Sequence, residues 1–232
     1  MPFLKSSIGR KFIMAVTGAA LLVFLTLHAA INFVALFSSD TYNAICGFLG
    51  SNWYAVTATV VLVILVFIHF GLAVHLVVRN LQIRGPEPYA VRLKSDDLKW
   101  SSQNMFTLGT VIILGLVLHL YNFWSKMMFA ELTSSANNDL TSNGIHHIIN
   151  TFHSIGEHST SGYAYSALYL VWLTALWLHL NHGIWCAMQT LGLNNKTWFP
   201  RLKTISTIYT TIIILMYAAV AVLFCCGYTP AR

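Results

Sequence analysis

Charge is what this sequence has least of. Only 9% of its 232 residues are Asp, Glu, Lys or Arg, where an ordinary soluble domain carries about a quarter. That shortage, beside 56% hydrophobic residues, argues against a soluble globular domain and for a chain that lives in lipid. Acids are scarcer than bases. The seven of them, Asp40, Glu87, Asp96, Asp97, Glu131, Asp139 and Glu157, all fall in connecting segments, so no carboxylate is expected inside a membrane span. The four cysteines, Cys46, Cys186, Cys225 and Cys226, form neither C-x-x-C nor C-x-x-C-H, which argues against a thioether-attached cofactor. Three of them lie in or beside apolar segments and read as small packing residues. No internal repeat, low-complexity tract or second soluble domain is visible.

What is present is five long apolar runs: Phe12 to Phe37, Tyr54 to Val78, Met105 to Trp124, Tyr163 to Met188 and Ile205 to Tyr228. Each has about the 20 residues that cross a bilayer as a helix, and together they make residues 1–232 one all-α transmembrane domain, a five-helix bundle. The basic opening MPFLKSSIGRK resembles a signal peptide, but the run after it is too long for one, so it reads as a retained first helix. Of the 13 Lys and Arg residues, Lys5, Arg10 and Lys11 precede the first run. Arg79, Arg84, Arg92, Lys94 and Lys99 separate the second from the third, and Lys196, Arg201 and Lys203 separate the fourth from the fifth. Only Lys126 and Arg232 fall on the other side. This asymmetry predicts a cytoplasmic N-terminus and an outward C-terminus. It also accounts for the net charge of +6 through topology and anionic lipid rather than nucleic acid. Gly85-Pro86 and Pro88 mark a turn in the inner link. The longer outer link carries His146, His147, His153 and His158, and Ile145, Ile148, Ile149 and Phe152 there share one face of a short interfacial helix.

Six histidines lie within the apolar runs: His28, His69, His75, His119, His179 and His182. Ionisable residues at such depth are rare and call for a functional explanation. His28, His69, His119 and His179 each stand about three to five residues past the centre of their run, roughly 5 to 7 Å at helical rise. Successive helices alternate direction, so His28 and His119 fall in an outer layer and His69 and His179 in an inner one. Two transverse pairs of neutral imidazoles, each drawn from two helices, are what two bis-histidine b haems in a bundle core require. With both axial positions filled by protein, such irons suit electron transfer rather than oxygen binding.

Any one of these histidines alone is better explained by a hydrogen bond to a neighbouring helix; four at matched depth are not. His75 and His182 lie nearer the inner surface. They remain open as contacts to haem propionates or a partner, as interfacial residues, or as replacement ligands. The fifth helix has no histidine and reads as a packing wall. Gly18, Gly71, Gly109, Gly115 and Gly183 suit close packing around a flat cofactor, and equally suit plain helix contact. Trp53, Trp100, Trp124 and Trp198, near run ends, read as an aromatic belt.

Three stretches carry a family resemblance. The opening S-x-I-G-R-K-F-I-M-A-V-T-G leads to L-x-L-H-A-A-I-N around His28, followed by H-x(10)-N from His69 to Asn80 and H-L-N-H-G-I-W from His179 to Trp185. They resemble the cytochrome b membrane anchor of type B succinate:quinone oxidoreductases and quinol:fumarate reductases. The resemblance extends over nearly the whole chain, including the count of five helices and the order of the histidines. It implies a bacterial inner-membrane complex with a flavoprotein subunit, which does the dicarboxylate chemistry, and an iron–sulfur subunit on the cytoplasmic face. It also implies a quinone substrate, menaquinone, with dimerisation of the complex open. Electrons would pass between the iron–sulfur subunit and quinone by way of an inner haem on His69 and His179 and an outer haem on His28 and His119. The basic inner link, Arg79 to Lys99, would face the iron–sulfur subunit or simply be a solvated loop.

One departure stands out. Some fumarate reductases of this family use carboxylates within the bundle for proton transfer, one of them just before the fourth-helix ligand. Here Trp177 and Leu178 precede His179 and no run contains an acid, so that route is not expected. Two other readings stay in view: a different dihaem b cytochrome, with the same haems but no flavoprotein partner, and a haem-free transporter whose histidines relay protons.

Overall fold

The computed structural model describes residues 6–84, 100–133, 143–153, 159–193 and 195–231, with backbone alone at 51, 84, 159 and 160. The turn expected at Gly85 to Pro88, most of the basic inner link, and Glu157 and His158 lie outside the described residues. Among those described there is no strand, only helix and short connection: α1 (Ser7–Val34), α2 (Ser39–Ser51), α3 (Trp53–Arg84), α4 (Trp100–Gln103), α5 (Met105–His119), α6 (Met128–Leu132), α7 (Gly144–Phe152), α8 (Ser159–Thr190) and α9 (Trp198–Cys225). A π-helical turn, Leu120–Trp124, prolongs α5. Five of these elements, α1, α3, α5 with its π turn, α8 and α9, are long and apolar enough to cross a membrane.

The spans differ from the apolar runs mainly at their ends. α3 continues from Val78 to Arg84, and α9 starts at Trp198 rather than Ile205. Hydrophobicity marks the part of a helix that needs lipid, whereas the backbone ladder continues through Arg79, Asn80, Arg201 and Lys203, whose heads reach the polar boundary. Local chemistry sets the ends. Ser6 Oγ accepts from Gly9 N at 2.9 Å and caps α1, and Asn195 Oδ1 accepts from Trp198 N at 2.6 Å at the start of α9. Gly192 (φ 84°) and Gly227 (φ 85°) take the left-handed conformation that stops α8 and α9. In each case the next residue donates back into the helix, Leu193 N to Met188 O and Tyr228 N to Leu223 O.

Four spans form a ring. α1 packs on α3, α3 more loosely on α5, α5 on α8, and α8 on α1. The diagonal partners, α1 with α5 and α3 with α8, are not packed helix pairs among the described residues. α9 packs against α8 and α1, the wall expected of it. α3 is the least enclosed span, with no buried residue in its most apolar stretch.

Polar bonds fix how the helices are turned. Tyr217 Oη donates to Leu25 O at 2.7 Å, joining α9 to α1, and Trp172 Nε1 donates to Ile112 O at 3.0 Å, joining α8 to α5. Between α8 and α9, Trp177 Nε1 donates to Thr211 Oγ1 at 2.9 Å and Thr210 Oγ1 donates to Asn181 Oδ1 at 3.2 Å. In lipid, where apolar burial does not distinguish one helix rotation from another, such bonds and close small-residue contacts specify the arrangement.

Over the end of the bundle where α1 terminates, α2 and α7 form a cap. Ala35, Leu36, Tyr42, Ile145, Ile148, Phe152, Tyr169, Val220, Ala221 and Phe224 make its core. The helix expected in the outer link is present as α7, but its apolar face is turned differently. Ile145, Ile148 and Phe152 are buried against α8, α9 and α2, so protein occupies the side assigned to the membrane surface. Helix α2, where no apolar run exists, was not foreseen. Gly144 lets α7 approach it, since a β-carbon there would lie 2.6 Å from both Cys46 Sγ and Tyr42 Cε1. Burial pushes the Cys46 thiol up to about 11, so it is an unreactive packing residue at neutral pH.

Phe224 is fully buried at the centre of the cap. Phe224→Ala should cost about 3–5 kcal/mol, read as a lowered thermal unfolding midpoint in detergent. Ile208→Ala, at an exposed position of the same helix, should leave the midpoint nearly unchanged.

Candidate functional site

The ring's diagonals are bridged by imidazoles. His28 of α1 and His119 of α5 have ring centroids 5.8 Å apart with planes at 85°. His69 of α3 and His179 of α8 are 6.4 Å apart with planes at 67°. Each pair therefore joins two helices that do not otherwise pack, and all four rings are half-buried. Gly18 marks the level of His69 on α1, and the ten residues from Gly18 to His28 put the two pairs about 15 Å apart along the axis. These are the pairs that the depth of the four residues matches.

His69 is the most closely held. Thr17 Oγ1 is 3.0 Å from His69 Nδ1, and the same hydroxyl donates to Ile13 O at 2.8 Å. Its proton is thus engaged, so His69 Nδ1–H donates to Thr17 and the lone pair is left on Nε2. Gly18 lies against the ring, where an added β-carbon would come within 3.2 Å of His69 Cε1. Neither was singled out as a ring-orienting pair from the sequence, although Thr17-Gly18 falls within the α1 motif. By contrast His119 Nδ1 and His179 Nδ1 are buried without a hydrogen-bond partner among the described residues.

Aromatic rings wall the pair nearer the cap. Phe24 stacks on His28 at 5.3 Å, and Tyr217 of α9 lies 5.9 Å from it, so the fifth span contributes to the site despite having no histidine. Trp172, Tyr169 and Phe123 surround His119 at 5.7, 6.2 and 5.2 Å. Trp172 lies so close over Gly115 that a β-carbon would overlap its indole. The π turn begins directly after His119 and carries buried Asn122, whose Nδ2 donates to Tyr169 Oη at 3.4 Å. Turns of this kind occur frequently at functional sites.

His75 and His182 have other contacts. Arg10 Nη1 donates to His75 Nε2 at 2.9 Å, and His182 Nε2 stands 3.4 Å from Cys186 Sγ, its ring edge-on to Trp185. No protein-family model, curated protein or solved structure matches the chain. The chemistry of the site rests on its own residues.

Those residues fit a metal held between paired rings. Two metal–nitrogen bonds of about 2 Å, with the ring radii added, separate the centres of two facing imidazoles by roughly 6 Å, close to both observed spacings. Among the described residues no group of three or more His, Cys, Asp or Glu forms a metal site. Each slot offers two imidazole donors drawn from different helices. There is room beside the rings: Gly183, one turn beyond His179 on the same face, has no atom within 4 Å of where a β-carbon would stand.

Thr17→Val removes the hydroxyl acceptor of His69 and leaves only the Met14 carbonyl beside the ring. The Nδ1-protonated tautomer should lose about 1 kcal/mol of preference while Thr17→Ser retains it, a difference read from ¹⁵N shifts of histidine-labelled protein.

Proposed function

We propose that this chain is the haem-bearing membrane anchor of a succinate:quinone or quinol:fumarate oxidoreductase, passing electrons between an iron–sulfur partner and a quinone, menaquinone. The observation that carries the proposal is the two imidazole pairs across the diagonals of a four-helix ring. His28 and His119 would hold one b haem, His69 and His179 the other. Bound between two imidazoles, a haem supplies reversible one-electron chemistry with no position open to oxygen.

The chain's own residues do the rest. Thr17 holds the His69 imidazole in the tautomer that presents Nε2. Phe24, Tyr169, Trp172 and Tyr217 exclude water from the pair nearer the cap. The only acids among the described residues are Asp40 and Glu131, both on connecting helices. The described spans therefore contain no carboxylate. The basic end of the bundle, where α1 begins, would face the cytoplasm and the iron–sulfur and flavoprotein subunits of a bacterial inner-membrane complex. The capped end would face outward. Carboxylates buried beside the histidines would have favoured the transporter reading; the described spans contain none.

A dithionite-reduced minus oxidised spectrum, with haem counted as the pyridine haemochrome, should give two b haems per chain. His28→Ala or His69→Ala should each remove one or turn it high-spin. A folded, membrane-inserted preparation without haem would sink the proposal. Orientation is checked separately: alkaline phosphatase fused after Arg232 should be active, and inactivity there would reverse the topology.

A further inference from the structure

Arg10, half-buried near the start of α1 where its neighbour Lys11 is exposed, is a charged group with no part in the electron-transfer reading. It lies seven residues before Thr17, hence on the same face of α1, and its partner His75 lies six residues beyond His69 on α3. Helical rise puts the pair about 10 Å along the axis from the His69 level, towards the start of α1. Arginine has donors only, so the 2.9 Å contact makes His75 Nε2 the acceptor and leaves that ring uncharged. That contact steers the guanidinium without neutralising it. Its Nε is buried without a hydrogen-bond partner among the described residues, and a buried donor on a charged group is costly to leave unmatched. The acids among the described residues do not meet it, for Asp40 and Glu131 follow the opposite ends of α1 and α5. A planar fork of donors, aligned with the slot and without an anionic partner among the described residues, is matched by a carboxylate.

We propose that Arg10, held in place by His75, binds a carboxylate arm of the porphyrin seated between His69 and His179. This rests on the haem reading above and adds to it a group that fixes how the macrocycle is turned within its slot. The carboxylates at the macrocycle's edge would point towards the start of α1, where the guanidinium stands.

The full chain carrying His28→Ala and His119→Ala, which removes both ligands of the other slot, is reconstituted with iron protoporphyrin IX or with its dimethyl ester, which has no free carboxylate. Binding is followed by Soret titration and the midpoint potential by redox titration. If this protein takes up neither porphyrin, the haem reading itself fails. If it binds, adding Arg10→Gln should weaken the free acid about tenfold, the scale of one charge-assisted hydrogen bond, and make its potential more negative. The diester should be unaffected, and Arg10→Lys should recover part of the loss. Equal effects of Arg10→Gln on both porphyrins, or none on either, would overturn the proposal. Equal weakening that follows the anionic lipid content of the vesicles would assign Arg10 to a phospholipid headgroup instead.

Discussion

The arrangement depends on keeping two pairs of helices apart. α1 and α5, and α3 and α8, face one another across the ring without packing, and their imidazoles span the gaps. Apolar side chains in lipid gain little by choosing one neighbour over another, so a gap of this kind must be held by its sides. The sides are well made. Trp172 fixes α8 on α5 through a backbone carbonyl, Tyr217 fixes α9 on α1 through another, and the Asn181, Thr210, Trp177 and Thr211 side chains fix α8 on α9. The loosest side, α3 with α5, borders both diagonals.

Much of this is legible in the sequence. Five spans follow from apolar length, and the pairing of histidines follows from depth and alternating helix direction, because both are properties of single helices. Residues that act between helices are harder to see. Nothing in the spacing of Thr17 says that its hydroxyl faces His69, and nothing about Gly115 says that Trp172 lies on it. Tyr217, on the one span without a histidine, reaches His28 only because α9 lies against α1.

The cap shows the opposite error. Periodicity identified the apolar face of α7 correctly but not what covers it, since protein and lipid are equally good solvents for Ile145, Ile148 and Phe152. Helix α2, which supplies part of the cover, has too short and too polar a sequence to register as a span. It is made by its Ser38 cap, whose Oγ accepts from Thr41 N at 3.2 Å, and by packing around Tyr42 and Cys46.

The ring also divides along the chain. α1 and α3 are neighbours and carry His28 and His69, while α5 and α8 are neighbours and carry His119 and His179. Each half of the polypeptide thus forms a helical hairpin bearing one imidazole from each pair. During synthesis the first hairpin is complete before either pair can exist, and the two pairs are finished in turn as the third and fourth spans arrive. Assembly of the site is therefore the docking of two hairpins, with the α1–α8 seam as the contact that brings the halves into register.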